Sequence, residues 1–231
     1  MTHLISNFIK RELTGWKTWQ VLWLLLSNII ILCISLSMGD SIVGIVASMT
    51  GICCVVLVGM GKISNYFFGI INVTLYAYVA WKAKYYGDVM LNLLYYLPTN
   101  IMGWIFWSRH IDVETAEVSK RRLNGKQCIA IGLISIAGIS VVSGILRLIG
   151  GNLPWADSSS TVLSMIAQYL MIKRYTEQWI AGIAVNIVSI VMWIAVLGSH
   201  GASIAVLLMW TVFLINSIIM YIRWRKISKD K

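Results

Sequence analysis

About eight apolar runs, each near the length that a bilayer requires, take up most of this chain. They cover about residues 20–37, 40–61, 63–82, 89–107, 127–149, 158–174, 177–197 and 203–223. A hydrocarbon core about 30 Å thick is crossed by roughly 20 residues of helix. A soluble core built from 231 residues could not absorb so much apolar surface, whereas lipid solvates it directly. Composition agrees: 58% of the residues are apolar and 12% are charged, against about 45–50% and about 25% in soluble domains. The runs are continuous rather than alternating, which argues against a membrane β-barrel. The expected fold is an all-α membrane protein of about eight transmembrane helices. It forms a single transmembrane domain over 1–231, with no soluble module.

The formal net charge is +10, but the basic residues lie between and beside the apolar runs. That distribution orients membrane proteins and does not form the basic face of a nucleic-acid binder. With the N-terminus inside and eight spans, the inner segments hold Lys10, Arg11, Lys17, Lys62, Arg109, Lys120, Arg121, Arg122, Lys126, Lys173, Arg174, Arg223, Arg225, Lys226, Lys229 and Lys231. The outer segments hold Lys82 and Lys84, and Arg147 falls near the outer end of the fifth span. The expectation is a multi-pass protein of the inner (plasma) membrane with both termini cytoplasmic. The first run begins near Val21, behind Lys10, Arg11 and Lys17, which fits an uncleaved first span. Ahead of it, Phe8, Ile9, Leu13, Trp16 and Trp19 among basic residues form an amphipathic lead-in suited to the inner interface.

Several chemistries lack their residues. Cys33, Cys53, Cys54 and Cys128 all sit in apolar runs without metal-ligand spacing, so they read as packing residues and no metal site is expected. His3, His110 and His200 fall outside the runs, and no HExxH or Ser/His pairing appears. No enzyme activity and no cofactor are expected. Asp40, Asp88, Asp157 and Glu177 sit at run ends, and no Asp, Glu, Lys, Arg or His falls near the middle of a run. Proton-coupled carriers need an acid within the membrane, so the pattern favours uncoupled facilitated diffusion. With only Pro98 and Pro154 present, little argues for broken helices.

Two stretches resemble each other at an offset of about 113–117 residues. Asp40-Ser41, Ser48-Met49 and Asn65-Tyr66-Phe67-Phe68-Gly69 match Asp157-Ser158, Ser164-Met165 and Gln178-Trp179-Ile180-Ala181-Gly182. Asn100 and Trp107 match Asn216 and Trp224. Runs 2–4 and 6–8 then form two three-helix units in the same orientation, joined by run 5. Transporters with such parallel repeats bind substrate near the midplane between them. Helical spacing also aligns polar side chains into stripes. Asn65, Gly69, Asn72 and Tyr76 share a face, as do Asn92, Tyr96 and Thr99 with Asn100 beside them. So do Thr161, Ser164 and Gln168; Trp179, Gly182, Asn186 and Trp193; and Ser203, Trp210 and Ser217. Amides offer donors and acceptors together, and indole or phenol rings offer faces to cations and flat rings. Each polar residue could instead bridge two helices, and Asn72, Gln168 and Asn186 fit either role.

At these residues the chain resembles the PnuC family of vitamin-precursor transporters. The first-half pattern is Asn65-Tyr66, Gly69, Leu75-Tyr76, Tyr86-Gly87-Asp88, Leu91-Asn92, Gly103-Trp104 and Trp107. The second is Leu153-Pro154, Asp157, Thr161, Ala167-Gln168-Tyr169-Leu170 and Glu177-Gln178-Trp179. The resemblance implies a full-length SWEET-like fold: an N-terminal lead-in and first span (1–37), repeat 1 (40–107), a linking helix (127–149) and repeat 2 (157–224). It further implies a homotrimer, nicotinamide riboside as substrate for NAD synthesis, and trapping by cytoplasmic phosphorylation. Thiamine, riboflavin or a deoxynucleoside is the alternative. The implied pocket is Asn72, Tyr76 and Asn92 with Gln168, Trp179 and Asn186. Trp179 or Tyr76 would stack on the pyridinium ring, and Gln168 and the asparagines would bind carboxamide and ribose. Relatives often carry a second aromatic three residues after the Trp179 position, where this chain has Gly182.

Overall fold

Backbone amides and carbonyls have no water to pair with inside a bilayer, so apolar runs of this length must close their hydrogen bonds within themselves as helices. A computed structural model of the chain describes residues 11–83, 86–112, 117–148, 154–195, 197 and 203–227. It contains α1 (Thr18–Ser37), α2 (Ile42–Met60), α3 (Asn65–Lys82), α4 (Tyr86–Met90), a π-helical turn (Leu91–Tyr96), α5 (Leu97–Ser108), α6 (Gly125–Leu148), α7 (Pro154–Ile172), α8 (Gln178–Ala195) and α9 (Ile204–Ile227). Among the described residues there is no β-strand, only the isolated bridges Ile111–Val118 and Arg121–Tyr175. The Phe8 and Ile9 part of the lead-in, Lys84, Leu153 and His200 lie outside the described residues.

Among the described residues, six segments are long and apolar enough to cross a membrane: Thr18–Ser37, Ile42–Met60, Asp88–Ser108, Gly125–Ile145, Gln178–Ala195 and Ile204–Ile227. The rods α3 and α7 are not among them. They carry the polar stripes, including Asn65 and Asn72 on one, and Ser158, Ser159, Ser160, Thr161, Ser164 and Gln168 on the other. α1 is turned outward: it buries Gln20, Ser27, Ile31 and Ser35 and exposes Leu22, Leu25, Leu26, Ile29 and Ile30. α6 packs only on α7 among the described elements and exposes Ile129, Leu133, Ile134, Ile136, Val141 and Ile145. That inside-out polarity suits lipid contact, not water.

One rod departs from the unbroken helices expected from the sequence. Between α4 and α5 the backbone widens into the π turn, two residues before Pro98. Pro98 has no N–H to donate, and in a regular α-helix its ring would crowd the carbonyl four residues earlier. A widened turn relieves that conflict.

The helices are locked together at one end. Trp107, near the end of α5, donates its indole N–H to Met171 O at 3.1 Å and Ile172 O at 3.2 Å, the terminal carbonyls of α7. Trp224, near the end of α9, donates to Gly59 O at 2.7 Å at the end of α2. Each indole also takes an aromatic edge contact, Tyr66 against Trp107 at 5.3 Å and Trp179 against Trp224 at 5.8 Å. After α2 the chain turns through Gly61 at φ 70°, and after α7 through Arg174 at φ 65°. Glycine adopts that conformation freely, whereas a side chain there costs roughly 1–2 kcal/mol. Arg174 is held by its guanidinium's bonds to Ser119 Oγ and to Ser119 O.

The segment joining α5 to α6 fastens both turns. Val118 N donates to Gly61 O at 2.9 Å, and Arg121 N donates to Arg174 O at 2.9 Å. Glu117 pairs with Lys120 and, at 2.6 Å, with Arg223. Lys62 is fully buried beside it and donates to Thr14 O at 2.7 Å and Arg11 O at 3.2 Å. Burial draws the Lys62 amine's pKa down, and the Glu117 and Glu12 carboxylates oppose that shift. Glu12 in turn accepts from the Ser64 hydroxyl at 2.5 Å, so the described end of the lead-in is tied to the α2–α3 turn.

Replacing Trp107 by Phe strands the Ile172 carbonyl, a loss of about 1–3 kcal/mol. Trp107→Phe is expected to lower the melting temperature of the detergent-purified protein more than Trp224→Phe. Gly59 O keeps a second donor in Arg223 at 2.6 Å and Met171 O keeps Arg174 N at 2.9 Å, which leaves Ile172 O as the carbonyl that depends on Trp107. Melting curves unchanged in both variants would show that the exchange does not hold the helix ends.

Candidate functional site

Helical geometry puts Asn65, Gly69, Asn72 and Tyr76 on one face of α3. That face closes one side of a cavity of about 190 Å³. Its other walls come from α2, the α4–π–α5 rod, α7, α8 and α9. All six residues singled out from the sequence line it: Asn72 and Tyr76 on α3, Asn92 on the π turn, Gln168 on α7, and Trp179 and Asn186 on α8.

Their partners define what each can do. Asn72 donates to Ala47 O at 2.8 Å, which anchors its amide to α2. Gln168 donates to Thr99 Oγ1 at 3.2 Å and Asn100 Oδ1 at 3.3 Å, bridging α7 to α5. Asn186 donates to Ser217 Oγ at 3.0 Å, bridging α8 to α9. Asn92 donates to Asp88 O one turn earlier, at 2.8 Å. Asn72, Gln168 and Asn186 are both interhelical bridges and cavity lining, while Asn92 lines the cavity and braces its own rod. A side-chain amide has two N–H donors and an acceptor oxygen, so one bridge does not exhaust it.

Tyr76 is more constrained than a stacking platform would be. Its ring meets Trp193 at 6.1 Å and Trp210 at 6.0 Å, both edge-on. Its hydroxyl accepts from Trp193 Nε1 at 3.1 Å and donates to Asp88 Oδ2 at 2.8 Å. Tyr76 therefore braces Asp88. The indole N–H groups of Trp179 and Trp210 and the amide nitrogen of Gln178 are buried with no hydrogen-bond partner among the described residues, and all three residues line the cavity. A buried donor left unpaired costs about 1–3 kcal/mol, so these groups favour a guest rich in acceptors.

Asp88 is the lining residue that sequence reading set aside as a span end. The fourth rod begins at Tyr86, so Asp88 faces into the bundle. The available signal was its place four residues before Asn92, on the same helical face. Among the described lining residues Asp88 carries the only formal charge, and none of them is Lys, Arg or His. Two other span-end acids act as caps or ties. Asp40 accepts from Ser203 Oγ at 2.9 Å and Ala205 N at 2.6 Å at the start of α9. Glu177 accepts from Leu123 N at 3.1 Å. The Asp157 side chain lies outside the described residues.

Two glycines set the cavity's shape differently. A methyl group on Gly51 would lie 2.7 Å from Asn72 Nδ2 and 2.8 Å from Met209 Sδ, so the bare backbone is what lets Asn72 reach α2. At Gly182 the nearest neighbour would be Ser217 Oγ at 3.5 Å, an ordinary contact. The absent second aromatic thus leaves open space on α8.

The profile of the nicotinamide mononucleotide transporter family matches residues 41–226. The chain is 42% identical over 226 residues to the nicotinamide riboside transporter PnuC of Neisseria mucosa, covering 95% of this chain and 86% of that one. It is 34% identical over 224 residues to the protein of the same name from Haemophilus influenzae, covering 96% of each. Its fold superposes on the crystal structure of the vitamin B3 transporter PnuC with a TM-score of 0.88 at 42% identity, covering 97% of this chain and 98% of that chain.

The glycine geometry separates two otherwise identical substitutions. Gly51→Ala is expected to destabilise the protein by about 1–3 kcal/mol through overpacking, while Gly182→Ala changes it by less than about 0.5 kcal/mol. Thermal melts of the two variants side by side check this, and equal shifts would contradict the cavity geometry.

Proposed function

The chain belongs to the nicotinamide mononucleotide transporter family, and on that premise we propose that it carries nicotinamide riboside into the cell by facilitated diffusion. The observation that carries this reading is the character of the cavity. Its amides, its unpaired indole and amide donors and its aromatic rings match a guest with a carboxamide, ribose hydroxyls and a flat ring. The single formal charge among its described lining residues is negative, which suits the riboside's cationic pyridinium. The same feature disfavours the mononucleotide, whose phosphate calls for Arg, Lys or converging backbone amides. Two relatives of 42% and 34% identity are named as riboside transporters.

The finer architecture in this reading has eight spans. Spans over 40–107 and 157–224 form two parallel three-helix repeats, the segment 127–149 links them as in SWEET proteins, and 1–37 supplies the lead-in and first span. The reciprocal Trp107 and Trp224 bonds support it, because each closes the last helix of one unit onto the first helix of the other. So do the matching left-handed turns at Gly61 and Arg174. Lys62, Lys120, Arg121, Arg174 and Arg223 gather at that same end, which supports cytoplasmic termini by the positive-inside rule. The homotrimer, and trapping of the imported riboside by a cytoplasmic kinase, rest on the family resemblance. The protein itself transports without chemistry: it is no enzyme.

Calorimetric titration of the purified protein with nicotinamide riboside, the mononucleotide, thiamine and riboflavin tests the substrate. Saturable binding of the riboside with at least about tenfold weaker binding of the mononucleotide is expected. Tightest binding of thiamine or riboflavin would keep the fold and replace the substrate. Tightest binding of the mononucleotide would overturn the charge argument.

A further inference from the structure

We propose that Asp88 is the counter-charge that makes this cavity select a singly cationic guest, with Tyr76 and Trp193 as the residues that position it. The inference rests on the riboside reading above and assigns its charge recognition to one carboxylate. Asp88 carries the only formal charge among the described lining residues, and it brings negative charge to the cavity wall. In these surroundings of low polarity, one unit charge acts over several ångströms far more strongly than in water. Cation–π attraction from Tyr76, Tyr96, Trp179 and Trp210, all lining the cavity, adds to it.

The carboxylate is held through a chain of two donors. Tyr76 Oη donates to Asp88 Oδ2 at 2.8 Å, and Trp193 Nε1 donates to Tyr76 Oη at 3.1 Å. Donors in series polarise one another toward the acceptor, which strengthens the bond to the carboxylate. Tyr76 and Trp193 are both buried, so this arm does not swing. The backbone at Asp88 is fixed as well, since Asn92 Nδ2 returns to its carbonyl at 2.8 Å at the entry to the π turn. A merely structural acid would need none of this placement at a cavity wall. Asp40, which accepts from the start of α9, is such a residue, and it does not line the cavity.

The test compares nicotinamide riboside with its 1,4-dihydro form, which keeps the carboxamide and ribose and has a neutral ring. Both are titrated into the intact protein and into Asp88→Asn and Tyr76→Phe variants, with melting temperatures confirming the fold. The parent protein is expected to bind the cation more tightly than the neutral form. Asp88→Asn keeps an acceptor for Tyr76 and is expected to lose roughly 10- to 100-fold in affinity for the cation, with the neutral form changed by less than about threefold. Tyr76→Phe is expected to narrow the preference in the same direction by a smaller factor. A parallel loss of both ligands in Asp88→Asn, or an undiminished preference for the cation, overturns the proposal. Should Asp88→Asn fail to fold, equal affinities of the parent for the two forms overturn it alone. A parent that binds neither form removes the riboside reading, and this inference with it.

Discussion

The structure depends on an exchange of hydrogen bonds between helix ends. A helix leaves its last carbonyls without intrahelical donors, and burying them unpaired would undermine the bundle. Here Trp107 supplies the donor for α7 and Trp224 supplies it for α2. Each bond joins helices far apart in the chain, so neither half can shift against the other without stranding buried carbonyls. The 117–121 segment crosses the same layer and pairs with both left-handed turns. Because this end is closed so firmly, the cavity above it has a fixed floor containing Trp179 and Gln178.

Above that floor, polarity is arranged opposite to that of a soluble protein. The exposed faces of α1 and α6 are isoleucine and leucine, and the interior holds amides, hydroxyls and one carboxylate. Polar groups within a bilayer persist only where other groups satisfy them. The amides of Asn72, Gln168 and Asn186 meet that condition by bridging neighbouring helices. They therefore fix the walls while remaining available on the cavity side, and the choice between interhelical bridge and ligand contact dissolves for these three. The unpaired donors of Trp179, Trp210 and Gln178 are where a guest contributes most.

Much of this was legible in the sequence because a bilayer permits few alternatives. Run lengths, the stripes and the pocket residues all follow from helical periodicity applied to an apolar chain. Periodicity fails where the helix stops being regular. The π turn at Leu91–Tyr96 was not legible from spacing, and Asp88, which stands at the start of its span, was read as a span end although it also lines the cavity. Tyr76 was legible as a pocket residue but not as the support of Asp88, since its partners Trp193 and Trp210 come from distant helices. No local pattern announces Arg174 in a left-handed turn either; only its alignment with Gly61 hints at it.

Transport of labelled nicotinamide riboside into proteoliposomes tests the central claim most directly. The account predicts saturable filling that levels off when the inside matches the outside concentration, unaffected by an uncoupler, with accumulation beyond that level only when a riboside kinase and ATP are enclosed. Uptake no faster than in protein-free liposomes, or accumulation without the kinase that collapses when the uncoupler is added, would contradict it.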